Sequence, residues 1–294
     1  MPVPESSTPR HGVIRTALRT MPWITRICAF WLLVVIVTAI TADLIPRLPD
    51  PNYQAFVFGL GETLESPSWN HWLGTDNVSR DILARVIYGA RVSLIFATFC
   101  VASGLVFGGL LGSTVGFVRG RTEGIVMYLV DVVLAFPALV FFLFVVTMLN
   151  SHGLAVLCGV VGFLTIAPYT RVARANALAV SNREFVTAAR AIGTAKRRIL
   201  FREILPNVYP TLWSYSLLVA AVLIILESTL SFLGIGVQIP TASWGGMINE
   251  GRRDIAINIW PMVPPIFALV VTILSFNRVA DWLRNTTAVR SAAL

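Results

Sequence analysis

Two carboxylates stand inside long apolar stretches of this sequence, Glu227 and Asp131. An ionisable group in hydrocarbon is costly, so each is a candidate functional residue. At helical spacing, Glu227 shares one face with five small or polar residues: Ser216, Ala220, Ser231, Gly234 and Gln238. We predict that this face lines a path through the membrane or contacts a partner subunit. Glu227 would then pair with a peptide backbone, an ammonium group or a cation; the alternative is a structural hydrogen bond or ion pair between helices.

The second carboxylate, Asp131, lies six residues before Pro137, which predicts a kink in the same helix. Arg119 and Arg121 are close enough in sequence to draw the carboxylate toward the membrane interface. Because ion pairing is the least costly way to keep a charge there, we expect a structural role for Asp131.

Several other chemistries do not fit the residues present. A Walker A phosphate loop needs glycine directly before its lysine, whereas the single lysine, Lys196, follows Ala195. The chain therefore does not hydrolyse ATP by that route. The sequence has no HExxH motif, and its cysteines (Cys28, Cys100 and Cys158) fall in apolar segments without CxxC spacing. We expect no metal site, no catalytic residue and no cofactor on this chain, and an unliganded His71.

The composition places the chain in a bilayer. Hydrophobic residues make up 56% and charged residues 13% of the sequence, about half the charged share of a typical soluble protein. The formal charge of +8 is divided among loops between apolar runs and forms no continuous basic face, so we do not expect nucleic-acid binding. Membrane lipid is the expected surrounding.

The apolar runs predict an all-α polytopic protein with six spans. They cover residues 27–45, 92–115, 125–149, 153–169, 208–237 and 255–279. Around them we expect an N-terminal tail (1–26), an outer loop (46–91), a cytoplasmic loop (181–207) and a C-terminal tail (285–294), with the membrane domain at 27–284. This topology puts 17 Lys and Arg residues inside and 6 outside, which predicts a plasma (inner) membrane protein with both termini cytoplasmic.

Small residues recur at every fourth position of the second span: Cys100, Gly104, Gly108, Gly112 and Gly116. Such a stripe lets a second helix approach closely, so we assign it to helix packing. Just before this span, Thr75 or Asp76 is the expected cap of an amphipathic interfacial helix.

The loop at 181–207 is basic and amphipathic, and we expect a compact helix–turn–helix at the membrane surface. Ser181 and Glu184 have capping-box spacing for the first helix. Gly193 can take the left-handed conformation that ends it, and Thr194 can cap a second helix. Pro206 is expected to stop that second helix.

This loop also resembles a known family. The run A-A-R-A-x-G followed by I-L-P, from Ala188 to Pro206, is similar to the cytoplasmic "EAA" loop of ABC-importer permeases, which docks into a cleft on the ATPase subunit. Thr187 occupies the position of the family's glutamate, so Glu184 or Arg190 would have to replace its salt bridge. The resemblance implies ATPase-coupling roles for Glu184, Ala188, Ala189, Arg190, Gly193, Arg197 and Pro206.

Two further blocks resemble the same family in the same order. Residues 71–94 match its H-P-L-G-T-D block, with Trp72 in place of the proline and Ser79 in place of a glycine. Residues 231–240 and 243–248 resemble its L-S-F-L-G…S-W-G-x-M signature. This last block would form an outer re-entrant turn or short helix. Trp244 and Gly245 could gate the outer opening there; the alternative for Trp244 is to anchor the chain at the membrane interface.

The resemblance covers about residues 71–284 and implies a type I importer permease, of the C-type half of dipeptide/oligopeptide (peptide/nickel) systems. It further implies a second homologous permease, two ATPase domains that bind ATP and Mg, an extracytoplasmic binding protein and a peptide substrate. A permease for nickel or another small solute remains the alternative within the family. A secondary transporter, which needs no ATPase, is a more distant one.

Overall fold

The computed structural model describes residues 21–46, 48–54, 63–149 and 153–292, without the side chains of 287–292. Most of the predicted N-terminal tail, part of the outer loop, His11 and His152 lie outside these residues. Regular structure in the described part is helical throughout. The helices are α1 Trp23–Thr41, α2 Ile82–Ser103, α3 Gly109–Val118, α4 Arg121–Ala135, α5 Ala138–Leu149, α6 Leu154–Ser181, α7 Glu184–Ala191, α8 Lys196–Ile199, α9 Leu205–Phe232, α10 Trp244–Gly251 and α11 Val263–Ala292.

Five continuous helical segments are long and apolar enough to cross a membrane. A sixth crossing results if α4 and α5, which meet at an angle of 83° around Pro137, together form one broken span. The all-α polytopic fold is therefore confirmed, with the predicted kink as a sharp break. The cause is proline, whose ring and missing N–H interrupt the helical hydrogen bonds.

The helices extend beyond the predicted spans. The second begins at Ile82, the fourth continues to Ser181, and the last continues to Ala292, through most of the predicted C-terminal tail. The cap of α2 is Asp81, whose Oδ1 accepts a 2.8 Å bond from the Ala84 amide, and neither Thr75 nor Asp76. Hydropathy marks the part of a helix in hydrocarbon, whereas helical hydrogen bonding continues into polar sequence.

The glycine stripe packs α2 and α3 against α6, as predicted. A Cβ on Gly108 would lie 2.5 Å from the Ile166 carbonyl oxygen, and one on Gly112 would lie 2.2 Å from the Thr170 oxygen. Side chains at these positions would push the helix backbones apart. A π-helical turn, Gly104–Gly108, joins α2 to α3 along this contact.

The basic segment forms the predicted helix–turn–helix, but its capping differs. Ser181 is the last residue of α6 and its hydroxyl donates to the Ala177 carbonyl, so the capping box with Glu184 was wrong. Arg183 precedes α7 and Ala195 precedes α8, neither with a side-chain cap, so Thr194 is not a cap either. Gly193 does adopt the left-handed conformation, with φ of 77°.

Pro206 does not stop the second helix. Helical structure runs from Lys196 to Phe232 through a π-helical turn at Leu200–Ile204, and Pro206 lies in the first turn of α9. The hydrogen-bond register changes at the π turn, so α9 starts anew after it. Proline is tolerated in this first turn because its missing N–H would not have been needed for a helical hydrogen bond there. The hairpin (residues 183–199) is thus rigidly continuous with α9.

Candidate functional site

The hairpin stands at the end of the bundle where α3, α6 and α9 meet. Val186 and Ile199 are 0% and 1% exposed and pack into an apolar cluster with Phe117, Val180 and Val208. The Arg190 guanidinium also lies 5.2 Å from the Phe117 ring centroid, a cation–π distance. Two buried side chains and one cation–π contact therefore fix the hairpin to the transmembrane helices.

The outward side of the hairpin is open. Six of the seven residues predicted to couple to an ATPase are exposed, and Ala189 is half-buried: Glu184, Ala188, Ala189, Arg190, Gly193, Arg197 and Pro206. Ile192 is 81% exposed, although its side chain is large and apolar. The hairpin thus combines an inner side anchored to the helices with an outer side that the chain leaves exposed.

Glu227 lies in a closed polar cluster inside the bundle. Its side chain is 0% exposed and accepts hydrogen bonds from the hydroxyls of Ser93 at 2.7 Å, Ser231 at 2.9 Å and Ser228 at 3.4 Å. Ser93 belongs to α2 and the others to α9. The carboxyl group thus joins two helices, which is the structural alternative set out for it above.

The predicted polar face of α9 is turned inward, which corrects its assignment to a path or a partner. Ser216, Ala220, Glu227 and Ser231 are all at most 8% exposed within the single chain. Gly234 and Gln238 are exposed, but they follow the end of α9 at Phe232 and so do not extend its face. Polar groups are stable inside because the serine hydroxyls donate to the Glu227 carboxyl group or, for Ser216, to the Leu212 main-chain carbonyl, away from lipid.

The opposite face of α9 borders an open apolar groove of ≈ 420 Å³. Leu218, Val222 and Leu226 line it from α9, and the α4–α5 break contributes Phe136. Val222 is 58% exposed. This face, and not the serine-rich one, is available to a path or a second subunit.

Trp244 is a core residue. It is 1% exposed, and its indole Nε1 donates a 2.9 Å bond to the Val86 carbonyl, so its assignment as an interface anchor was wrong. Gly245 permits the close contact of α10 with α9, because a Cβ there would lie 2.0 Å from the Ser228 oxygen. The predicted short helix is present as α10, capped by the Ser243 hydroxyl, which accepts from the Gly246 amide.

A buried ion network was not predicted from the sequence. Glu250 Oε2 accepts from Arg80 Nη2 at 2.9 Å and from Arg85 Nη2 at 2.8 Å, while Arg80 Nε bonds Asp76 Oδ2 at 2.6 Å. The arginine side chains are 3% and 2% exposed. The network connects α10 to the beginning of α2. The charged residues of the 71–94 block were the only sequence feature that pointed to such a network. Their partner could not be identified from the sequence, because 165 residues separate Arg85 from Glu250.

The other predicted groups also found specific partners. Asp131 pairs with Arg171, and neither Arg119 nor Arg121 reaches it; the Arg119 guanidinium instead donates to Asn182 Oδ1 at 2.9 Å. The structural role expected for Asp131 is retained, with a partner on α6 because that helix lies beside α4. His71 Nδ1 lies 2.9 Å from Asp81 Oδ2, the residue that caps α2.

Together, the membrane-crossing helices and the anchored surface hairpin define an integral, multi-pass membrane protein. Residues 104–288 match the family model described as "binding-protein-dependent transport system inner membrane component". The chain belongs to this family, and it is accordingly a permease subunit of an ABC importer of the peptide/nickel group. Such subunits are not themselves enzymes.

The chain is similar to several glutathione transport system permease proteins GsiD. That of Pectobacterium atrosepticum is 34% identical over 255 residues, which cover 87% of this chain and 83% of the relative. That of Escherichia coli O6:K15:H31 is 35% identical over 257 residues, with the same coverage. That of Shigella dysenteriae serotype 1 is 34% identical over 257 residues. The family implies a partner permease, ATPase subunits and a binding protein.

Proposed function

We propose that this chain is the C-type permease of an ATP-driven importer of di- and oligopeptides. Its relatives carry names for transport of glutathione, itself a small peptide, and support this substrate class. The observation that carries the mechanism is the hairpin, which is fixed to the bundle by Val186 and Ile199 and exposes the face expected to meet an ATPase.

The hairpin acts as a lever in this proposal. ATP and Mg bind on the partner ATPases, whose closure displaces the docked hairpin. Because helical structure is continuous from Lys196 to Phe232, displacement at the hairpin is transmitted along α9 to the opposite end of the bundle. The groove beside Val222 and Phe136 then changes shape between inward- and outward-facing states.

Uptake by the reconstituted complex tests the substrate. With its binding protein, partner permease and ATPases in proteoliposomes, it should accumulate radiolabelled di- and tripeptides, glutathione among them, only when ATP reaches the ATPases. Nickel or another small solute taken up in place of peptide would move the chain to the alternative within the family. ATP-independent uptake that survives deletion of residues 183–199 would indicate a secondary transporter.

Orientation has its own test. We place the hairpin and both termini in the cytoplasm because 17 of 23 Lys and Arg residues then lie inside. In a Cys28→Ser background, Lys196→Cys should react with a membrane-impermeant maleimide only after the cells are permeabilised. Labelling of intact cells at Lys196→Cys would reverse the topology; Trp69→Cys, which is 95% exposed at the other end, is the matched control and should label in intact cells.

A further inference from the structure

A cavity of ≈ 480 Å³ lies between the hairpin and the end of α3, away from the polar cluster at Glu227. Its charged lining is basic: Arg119 from the turn after α3, Arg190 from α7 and Lys196 from α8. No carboxylate lines it. Three cations converging on one cavity repel each other, so an anion would stabilise the arrangement.

The cations are not neutralised by neighbouring acids. Among the described residues, Arg119 donates to the neutral amide of Asn182 and Arg190 lies over the Phe117 ring, and neither forms an ion pair. Lys196 likewise has no ion pair within that part of the chain. The nearby acid Glu123 is already bound by Arg174. The positive charge of the cavity therefore remains available.

The turn that carries Arg119 is held in an unusual conformation. Arg119 has φ of 59° and ψ of −173°, in a region that glycine occupies almost exclusively. A non-glycine residue there costs on the order of 1–3 kcal/mol, which the surrounding structure has to offset. The strained turn brings the Arg119 side chain to the cavity.

The remaining lining is apolar apart from Thr194 and includes the end of a membrane-crossing helix. Phe117 and Val118 are the last residues of a membrane-crossing helix, and Val118 is 52% exposed. Leu111, seven residues earlier on the same face of α3, is 40% exposed. Val118 and Leu111 thus form an apolar strip, interrupted by the half-buried Thr114, along which an acyl chain could lie.

We propose that this cavity binds the headgroup of an anionic phospholipid such as phosphatidylglycerol, with its phosphate among Arg119, Arg190 and Lys196 and its acyl chain along α3. Basic cavities between helix ends at a membrane surface suit such headgroups, each cation near the surface contributing about 1 kcal/mol. A free phosphate would leave the apolar strip unused. The bound lipid would bridge the hairpin and the transmembrane helices.

The test counts lipid retained by the whole transporter complex. Complexes purified in dodecylmaltoside with equimolar phosphatidylglycerol and phosphatidylcholine are analysed by native mass spectrometry. The double variant Arg119→Gln/Lys196→Gln spares Arg190, which is also a coupling candidate. Loss of two cations should lower the apparent affinity for phosphatidylglycerol roughly 30-fold. High salt should weaken binding by the wild type as well.

The matched control removes two charges from the same end of the chain. Arg183→Gln/Arg198→Gln alters exposed arginines that do not line the cavity, and should retain phosphatidylglycerol like the wild type. Equal retention by all three proteins overturns the proposal. Displacement of the lipid by millimolar inorganic phosphate also overturns it, because the cavity would then be a site for any anion. Lipid binding by the permeases alone but not by the complex overturns it too, because the ATPase would then cover the cavity.

Discussion

The Ser93 hydroxyl donates a 2.7 Å hydrogen bond to Oε2 of Glu227, from α2 to α9. This bond brings together residues 134 positions apart in a site without exposed surface. The polar cluster therefore holds α2 and α9 in position relative to each other. Its contribution to the free energy of unfolding can be measured separately from transport.

Ser93→Ala should destabilise the protein by about 1–3 kcal/mol, because the buried carboxyl group loses its shortest hydrogen bond. Thermal unfolding in mild detergent measures the change. Ser275→Ala is the control: that hydroxyl is buried without a partner among the described residues, so its removal should be neutral or slightly stabilising. Equal destabilisation by both changes would mean that cavity formation, and not the hydrogen bond, is being measured.

Gly112→Ala should disrupt the packing of α3 on α6, because the added Cβ would lie 2.2 Å from the Thr170 carbonyl oxygen. We expect loss of folded protein, or destabilisation of several kcal/mol of the kind that overpacking produces. Gly159→Ala is matched to it, since α6 has open space around that position, and should be neutral or gain up to about 1 kcal/mol from helix propensity. Size-exclusion profiles and melting temperatures compare the two.

Glu250→Gln should cost on the order of 3–5 kcal/mol, because Arg80 and Arg85 would keep buried charges with Asp76 as their remaining acid in the network. Asp281→Asn, which breaks an exposed pair with Arg284, should leave stability nearly unchanged. Melting temperature at several salt concentrations is the measurement. A small, salt-sensitive effect of Glu250→Gln would show that water reaches the network.

Ile199 and Ile192 should separate anchoring from docking. Ile199→Ala empties a position that is 1% exposed and should destabilise the permease by roughly 2–5 kcal/mol. Ile192→Ala, at a position 81% exposed, should leave the permease stable and weaken copurification of the ATPase. The two readouts are unfolding of the permease alone and the amount of ATPase bound. Undiminished ATPase binding by Ile192→Ala would exclude this side chain from the docking surface.

The sequence was sufficient for the features that depend on local order. Apolar runs predicted the membrane crossings, Pro137 predicted the break between α4 and α5, and Gly193 predicted the left-handed turn of the hairpin. The glycine stripe predicted close helix packing, although not that α6 is the helix it meets. Each of these follows from the residue itself or from its neighbours within one or two turns.

The sequence misjudged which way polar groups face. Helical periodicity placed Ser216 and Glu227 together on α9 correctly, but lipid, a path, a partner and another helix are all possible neighbours of such a face. Likewise, Ser181 and Thr194 match the residue types that cap helix starts, yet α7 begins after Arg183 and α8 begins after Ala195. Only the packing decides among such alternatives.

The sequence by itself therefore determined that the chain crosses a membrane, where it bends and which family it resembles, because composition and short motifs are properties of neighbouring residues. Tertiary structure alone decided that Glu227 is enclosed by hydroxyls, that Trp244 is core and that Glu250 holds Arg80 and Arg85. A buried polar group is stable only beside its partners, and each of these three groups has at least one partner more than a hundred residues away in the chain.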